Sequence, residues 1–295
     1  MRRNALPPST PPDPVPPPSP SGEGLVSART ALASAAARFA FSATPRLDAE
    51  LLLAHALGIT RERLLLTLGD HATPPAFAAL VARRANHEPI AYLTGTRAFW
   101  TIDLNVAPGV LIPRADSETL IEAAVAHFAG TPGPRRILDL GTGSGALLLA
   151  ALDQWPAASG VGLDASPAAL AIARDNAARI APGRATIVEG GWQGTGEAFD
   201  LILCNPPYIA RDAALPAEVA GYEPASALFA GTDGLDDYRA IAPLLGRQIA
   251  PGGVACIEIG HDQSESAAAL FRTAGLTVAL RRDLAGRDRC LVVTP

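Results

Sequence analysis

The chain has 295 residues, 48% of them hydrophobic, enough for one large domain or two of ordinary size. Its net charge of −5 and pI near 5.6 give no basic footprint of the kind that grips bulk nucleic acid. No stretch approaches about twenty apolar residues without charge, which argues against a membrane span.

All 24 basic residues are arginine, which reads as coding bias and solvated faces. Arg2 and Arg3 are followed by proline and not by an apolar core, so a secretion signal is not expected. Residues 1–24 are crowded with Pro, Ser and Gly and predict a disordered, partly polyproline extension. Cys204, Cys256 and Cys290 lie far apart, each in an apolar, strand-like run. They read as reduced, buried thiols of a cytoplasmic protein. Their spacing offers no paired metal ligands.

Residues 25–88 follow a helical period. Leu32, Ala35, Ala36 and Phe39 share one face, and Leu47, Leu51, Leu52 and His55 repeat the spacing between Pro45 and Gly58. Leu64, Leu65 and Leu68 follow, then Phe77, Leu80, Val81 and Arg84. Short amphipathic helices with tight connections predict a small bundle. His55 and His71 read as packed or solvated histidines.

Residues 89–113 form a linker, where the period changes to two from Thr96 onward. Phe99, Thr101, Asp103 and Asn105 face one way and Trp100, Ile102, Leu104 and Val106 the other, which predicts a β-hairpin. A helix after Pro113 takes Asp116 or Ser117 as its cap, with Leu120, Ile121, Ala124 and Phe128 inward.

Over residues 114–295 strands and helices alternate from Arg135 on. Strands are predicted at 137–140, 160–163, 185–188, 201–204, 254–259, 277–280 and 290–293, and helices at 145–154, 167–179, 236–250 and 263–274. This is a doubly wound α/β domain.

Three motifs carry chemistry. Gly141-Thr142-Gly143-Ser144-Gly145 follows a strand and opens a helix, where the backbone can approach a ligand closely. The spacing is G-x-G-x-G, not the longer dinucleotide fingerprint, which argues against a nicotinamide enzyme. Asp164 ends the next strand, where an acid can accept from both hydroxyls of a ribose or cap the helix at Ser166-Pro167. Trp192 follows the third strand and either covers an adenine ring or packs in the core. Asn205-Pro206-Pro207-Tyr208 closes the apolar run 199–204. Two prolines cannot extend a central strand, so an amide and an aromatic ring are placed at the sheet's carboxyl edge. The Asn205 oxygen and the Pro206 carbonyl suit the two N–H groups of a planar amide, and Tyr208 suits stacking on it. Glu258, at the end of a following strand, is either a proton acceptor or a structural partner.

The Gly-rich loop and the Asn205 loop resemble those of class I, amino-directed methyltransferases. Glu88-Pro89-Ile90-Ala91-Tyr92-Leu93-Thr94-Gly95, Phe99-Trp100 and residues 111–120 extend the likeness, as do Glu223-Pro224, residues 231–235, Glu258-Ile259-Gly260 and residues 283–289. Together they resemble the bacterial peptide chain release factor glutamine methyltransferases (the HemK/PrmC family) over residues 25–295. The resemblance implies a class I methyltransferase seven-stranded doubly wound sheet with a small N-terminal helical bundle and a β-hairpin linker. It implies N5-methylation of the glutamine in the Gly-Gly-Gln motif of class 1 release factors. It implies S-adenosyl-L-methionine as cofactor, S-adenosyl-L-homocysteine as product, and a cytoplasmic monomer without direct nucleic-acid or membrane partners. Gly141, Thr142, Gly143, Ser144, Gly145, Asp164, Trp192 and Asn205 would contact the cofactor. Asn205, Pro206, Pro207 and Tyr208 would receive the glutamine, with Asn205, Pro206 and Tyr208 catalytic and no metal. The helical domain would grip the protein substrate.

The chain departs from the pattern at Ala115, Cys204 and Gly191, which stand where relatives usually carry proline, serine and an acid. The last change leaves adenine recognition to groups such as the Gly190 backbone or the Glu189 side chain. A ribosomal-protein glutamine methyltransferase shares most of the fold and loop and differs in the helical domain and linker. A DNA adenine methyltransferase shares the loop chemistry but would need to flip its base and grip phosphates.

Overall fold

The computed structural model describes residues 27–295, so the expected proline-rich extension over residues 1–24 lies outside the described residues. The chain opens with helix α1 (Ala28–Arg38), whose N-cap Ser27 accepts from the Thr30 N–H. Helix α2 (Pro45–Leu57) starts on a proline that needs no N–H partner and ends at Gly58, which takes the left-handed conformation. Helices α3 (Arg61–Thr67), α4 (Pro75–Ala85) and α5 (Ile90–Thr94) complete the bundle. Leu32, Phe39, Leu52, Leu53, Leu64, Phe77 and Val81 fill its core.

The inward face of α2 differs from the expected one. Ala49, Leu52 and Leu53 are buried, whereas Leu47 and Leu51 are half-buried and His55 is exposed. The face turned because two acids point inward with it. The Glu50 carboxylate accepts from Arg46 and Arg61. Asp48 accepts from Arg84 at 2.9 Å, and both side chains are buried. Leu65, expected inward, is exposed beside Leu66 on α3, which has room to bury only Leu64.

The linker forms the expected hairpin, β1 (Thr96–Phe99) against β2 (Ile102–Asn105). The two residues between them, Trp100 and Thr101, make the turn, with Trp100 at φ 54°. This turn shifts the phase of the alternation. Phe99 pairs with Ile102, and both are buried on one side together with Leu104. Phe99 therefore does not share the outer face of Thr101 and Asp103 that the strict period predicted.

Helix α6 (Glu118–His127) leads into a seven-stranded sheet. Its elements are β3 (Arg136–Leu140), α7 (Ala146–Gln154), β4 (Ser159–Asp164), α8 (Pro167–Ile180), β5 (Ala185–Glu189), β6 (Phe199–Cys204) and the short α9 (Ala217–Ala220). Then come α10 (Asp236–Leu245), β7 (Ile249–Glu258), α11 (Ser264–Thr273), β8 (Thr277–Arg282) and β9 (Asp288–Thr294). The strand order is β5-β4-β3-β6-β7-β9-β8, parallel through β7 and antiparallel at the closing pair. Helix α10 stops five residues short of its expected end, because Ile249, which fits either period, begins β7 instead. The strand makes its first ladder contact there, with Phe199.

Inner strands are buried on both faces, which is why they read as unbroken apolar runs. Leu201 and Leu203 of β6 pack with α6, α7 and α8, while Ile202 and Cys204 pack with α10 and α11. All three cysteines are buried and unbridged. No helix among the described residues is long and apolar enough to cross a membrane.

The bundle is tied to the sheet domain through Arg84. Besides holding Asp48, this guanidinium donates to Glu218 of α9 at 2.9 Å. Nearby, the Tyr222 hydroxyl donates to the Asn86 carbonyl at 2.8 Å. Arg84→Ala leaves the buried Asp48 carboxylate without its cation, with only the Thr44 hydroxyl still donating to it, and is expected to destabilise the bundle by about 3–5 kcal/mol. A lowered urea midpoint checks this.

Candidate active site

Strands β3, β4 and β6 end side by side, Leu140 pairing with Leu163 on one flank and Cys204 on the other. A cavity of about 400 Å³ opens above these ends. Gly141 to Ser144, Asp164, Trp192, Asn205 and Pro207 all line it. Gly145 stands outside the lining, as the left-handed N-cap of α7. Pro206 is buried and Tyr208 half-buried, and neither lines the cavity.

The Gly-rich turn is held from below by Asp139. One of its oxygens accepts from the Thr142 hydroxyl at 2.6 Å and the Leu148 N–H at 3.2 Å, and the other has no partner. Burial pushes this carboxyl up to about 7, against those hydrogen bonds. Gly141 sits at φ 72°, and a Cβ there would come within 3.2 Å of the Trp192 ring, so the indole covers the turn. The Trp192 N–H donates to Asp237 at 3.0 Å, which fixes the plane of the ring.

Asp164 accepts from the Gly143 N–H at 2.9 Å and from the Ser166 N–H at 2.8 Å. Each oxygen keeps a free lone pair beside the cavity. The helix-cap role belongs to Ser166, whose hydroxyl accepts from Ala169. Of the two expected substitutes for an acid at 191, Gly190 lines the cavity and Glu189 does not, since its side chain is exposed.

Asn205 projects from the end of β6, and its Nδ2 donates to Ser117 Oγ at 3.2 Å. Ser117 is one of the two expected helix caps, with Asp116 the other. It occupies that position in right-handed backbone, but its side chain caps nothing and turns to the cavity wall. An ordinary capping signal concealed this role in the sequence. The Tyr208 hydroxyl donates to Glu258 Oε1 at 3.2 Å, and Gln263 donates to the Tyr208 carbonyl at 2.9 Å. Glu258 is 1% exposed, and burial pushes it up to about 7, while the Ser117 and Tyr208 hydroxyls and the Arg289 guanidinium act the other way.

The linker motif forms the remaining wall. Tyr92 donates to the Val110 carbonyl at 2.6 Å, and Val110, Leu111 and Pro113 face the cavity. Glu223, nearly fully buried, accepts from the Ile112 N–H at 3.1 Å and pairs with Arg114. That bond draws Pro224 and Ser226 to the rim.

A family model for the PrmC N-terminal domain matches residues 30–95, and one for the methyltransferase small domain matches residues 116–220. The chain is 43% identical to a release factor glutamine methyltransferase of Rhodospirillum rubrum, over 84% of this chain and 78% of the relative. It is 45% identical to that of Xylella fastidiosa strain Temecula1, over 84% of this chain and 92% of the relative. The chain belongs to the release factor glutamine methyltransferase family. A solved protein-(glutamine-N5) methyltransferase of Alicyclobacillus acidocaldarius is 30% identical, with a TM-score of 0.39 over 64% of this chain and 97% of that one. The family assignment rests on the sequence relatives. The cavity described above therefore belongs to a methyltransferase family, and Asp139 is its buried support.

Between its ordinary value of about 4 and about 7, the unfolded chain releases the Asp139 proton and the fold retains it. That carboxyl therefore lowers stability as pH rises through this window. Thermal melts across it are expected to show wild type losing stability relative to Asp139→Asn.

Proposed function

We propose that this chain transfers a methyl group from S-adenosyl-L-methionine to the side-chain nitrogen N5 of the glutamine in the Gly-Gly-Gln motif of class 1 peptide chain release factors. One observation supports the chemistry most directly: the Asn205 carboxamide faces the same cavity as the Gly-rich turn and Asp164.

The cavity's residues suit such a cofactor. The Trp192 indole offers a flat apolar wall, and the Asp164 oxygens offer spare acceptors for vicinal hydroxyls. Residues 141–144 present backbone to the remaining polar groups, while Gly145 supplies the turn. When bound, the cofactor would supply a methyl on a sulfonium and be released as S-adenosyl-L-homocysteine, while the amide nitrogen that takes the methyl gives up one N–H proton to solvent.

The protein's task is to prepare the nitrogen. An amide nitrogen is a poor nucleophile because its lone pair is delocalised into the carbonyl. The Asn205 oxygen and the Pro206 carbonyl are assigned as acceptors for its two N–H groups, which localises density on nitrogen. Tyr208, tethered to Glu258 outside the cavity lining, is assigned to stack on the planar amide at the entrance, and Pro207 forms part of the cavity wall. Holding acceptor and methyl in line supplies most of the acceleration. The helical bundle, joined to α9 by Arg84, is assigned to grip the protein substrate. The reading places the reaction in the cytoplasm with a monomeric enzyme.

Incubation with S-adenosyl-L-methionine and a purified class 1 release factor tests this. One added methyl, mapped by fragmentation to the Gly-Gly-Gln glutamine, is the expected result. An unmodified release factor alongside a methylated ribosomal-protein glutamine overturns the substrate assignment. Asn205→Ala is expected to lower kcat by at least about 10²-fold with cofactor affinity retained. Asp164→Ala loses hydrogen bonds to a charged acceptor, about 1.5–3 kcal/mol, so calorimetry should show cofactor affinity weakened by roughly 10- to 100-fold.

A further inference from the structure

A carboxamide can present either its oxygen or its NH₂ to a substrate, and only the oxygen accepts an N–H. Something must therefore choose the flip of Asn205. Among the described residues, its side chain hydrogen-bonds to Ser117 Oγ alone, at 3.2 Å. Ser117 is 3% exposed, lines the cavity and makes no helix cap.

A hydroxyl has one hydrogen to give and two lone pairs to accept with. The Ser117 hydroxyl lies near the Glu258 carboxyl and favours its charged form. Glu258 Oε1 already receives the Tyr208 hydroxyl, and Oε2 is buried with no hydrogen-bond partner. A carboxylate only accepts, so a turn of the Ser117 hydroxyl toward this orphaned oxygen commits its hydrogen to Glu258. Ser117 then has only lone pairs left for Asn205, which must offer its NH₂.

We propose that Ser117 is a positioning residue: held by Glu258, it accepts from Asn205 Nδ2 and commits the Asn205 oxygen to the cavity. The inference rests on the proposed methyl transfer for its kinetic consequence, but the amide orientation stands on the enzyme alone. Protonated Glu258 has a hydrogen of its own to give. Ser117 is then free to donate to Asn205, and the amide can turn its NH₂ to the cavity, the wrong polarity for a substrate N–H.

Burial pushes the Glu258 carboxyl up to about 7. The groups facing it are Asp116 and Ser117 before α6, Tyr208 after β6, Tyr238 on α10, Cys204 on β6 and Arg289 and Cys290 on β9. The carboxylate is the competent form, so kcat is expected to rise as pH rises through that value.

Wild type, Ser117→Ala, Ser117→Thr and Glu258→Gln are compared for kcat and KM against a release factor across pH 6 to 8.5, with cofactor affinity by calorimetry. Ser117→Ala is expected to lower kcat by about 10- to 100-fold, leave cofactor affinity within about twofold, and lose the rise through about pH 7. Ser117→Thr, which keeps the hydroxyl, recovers most of the loss, and Glu258→Gln is slow at every pH. Wild-type kcat in Ser117→Ala, or an unchanged pH profile in both variants, overturns the positioning role and leaves the proposed reaction standing. If wild type methylates no release factor, the proposed function fails separately. The orientation is then read without substrate, from the Asn205 side-chain amide resonances. They titrate with Glu258 in wild type and not in Ser117→Ala, and resonances indifferent to both sink the inference.

Discussion

The site depends on three parallel strands leaving the sheet at the same height. Leu140 is hydrogen-bonded into the ladder between Leu163 and Cys204. One register therefore delivers the Gly-rich turn, Asp164 and Asn205 to a common rim. A shift of one residue would turn every side chain of the shifted strand to the other face. It would also move its terminal residue by about 3.3 Å along the strand. The prolines after Asn205 guard this level on β6, because they cannot extend the ladder. The crevice lies at β3, where the winding of the sheet reverses, the place where open α/β sheets bind their ligands.

Around that rim, long-range hydrogen bonds close the walls. Glu223 joins the segment before α6 to the loop after β6. Arg289 reaches from β9 to Asp116 and Asp283. Arg84 does the same between the helical bundle and α9. Apart from the local Arg289–Asp283 pair, these partners are separated by 36 to 173 residues. Their side chains come together only once the sheet and its helices have packed.

Much of this was legible in the sequence where one force dominates. The inner strands have no polar face, so their apolar runs stand out, and the proline pair after Asn205 marks a strand end by covalent geometry alone. The failures have a common cause, a local signal overruled by a distant partner. The α2 helix turned its face because Arg84 and Arg61 lie across the bundle to receive Asp48 and Glu50. Phe99 changed sides because a two-residue turn reset the phase. Ser117 carries a good capping side chain, but Asn205 claims it. Tyr208 proved to be moored to Glu258 and Gln263 outside the cavity lining, which no spacing along the chain could reveal.

Cys204 stands one residue before Asn205, with its side chain turned into the layer of α10 and α11. Burial raises its thiol well above the ordinary value, and the carboxyls of Asp139, Asp237 and Glu258 add to the effect. The thiolate is the reactive form of cysteine, and almost none exists here. A sulfonium donor is an alkylating agent toward any soft nucleophile within reach. A protein that brings such a reagent to the tip of β6 must keep its own sulfur out of the competition. Facing away and holding its proton, Cys204 is chemically silent, and the chain is spared from becoming its own substrate.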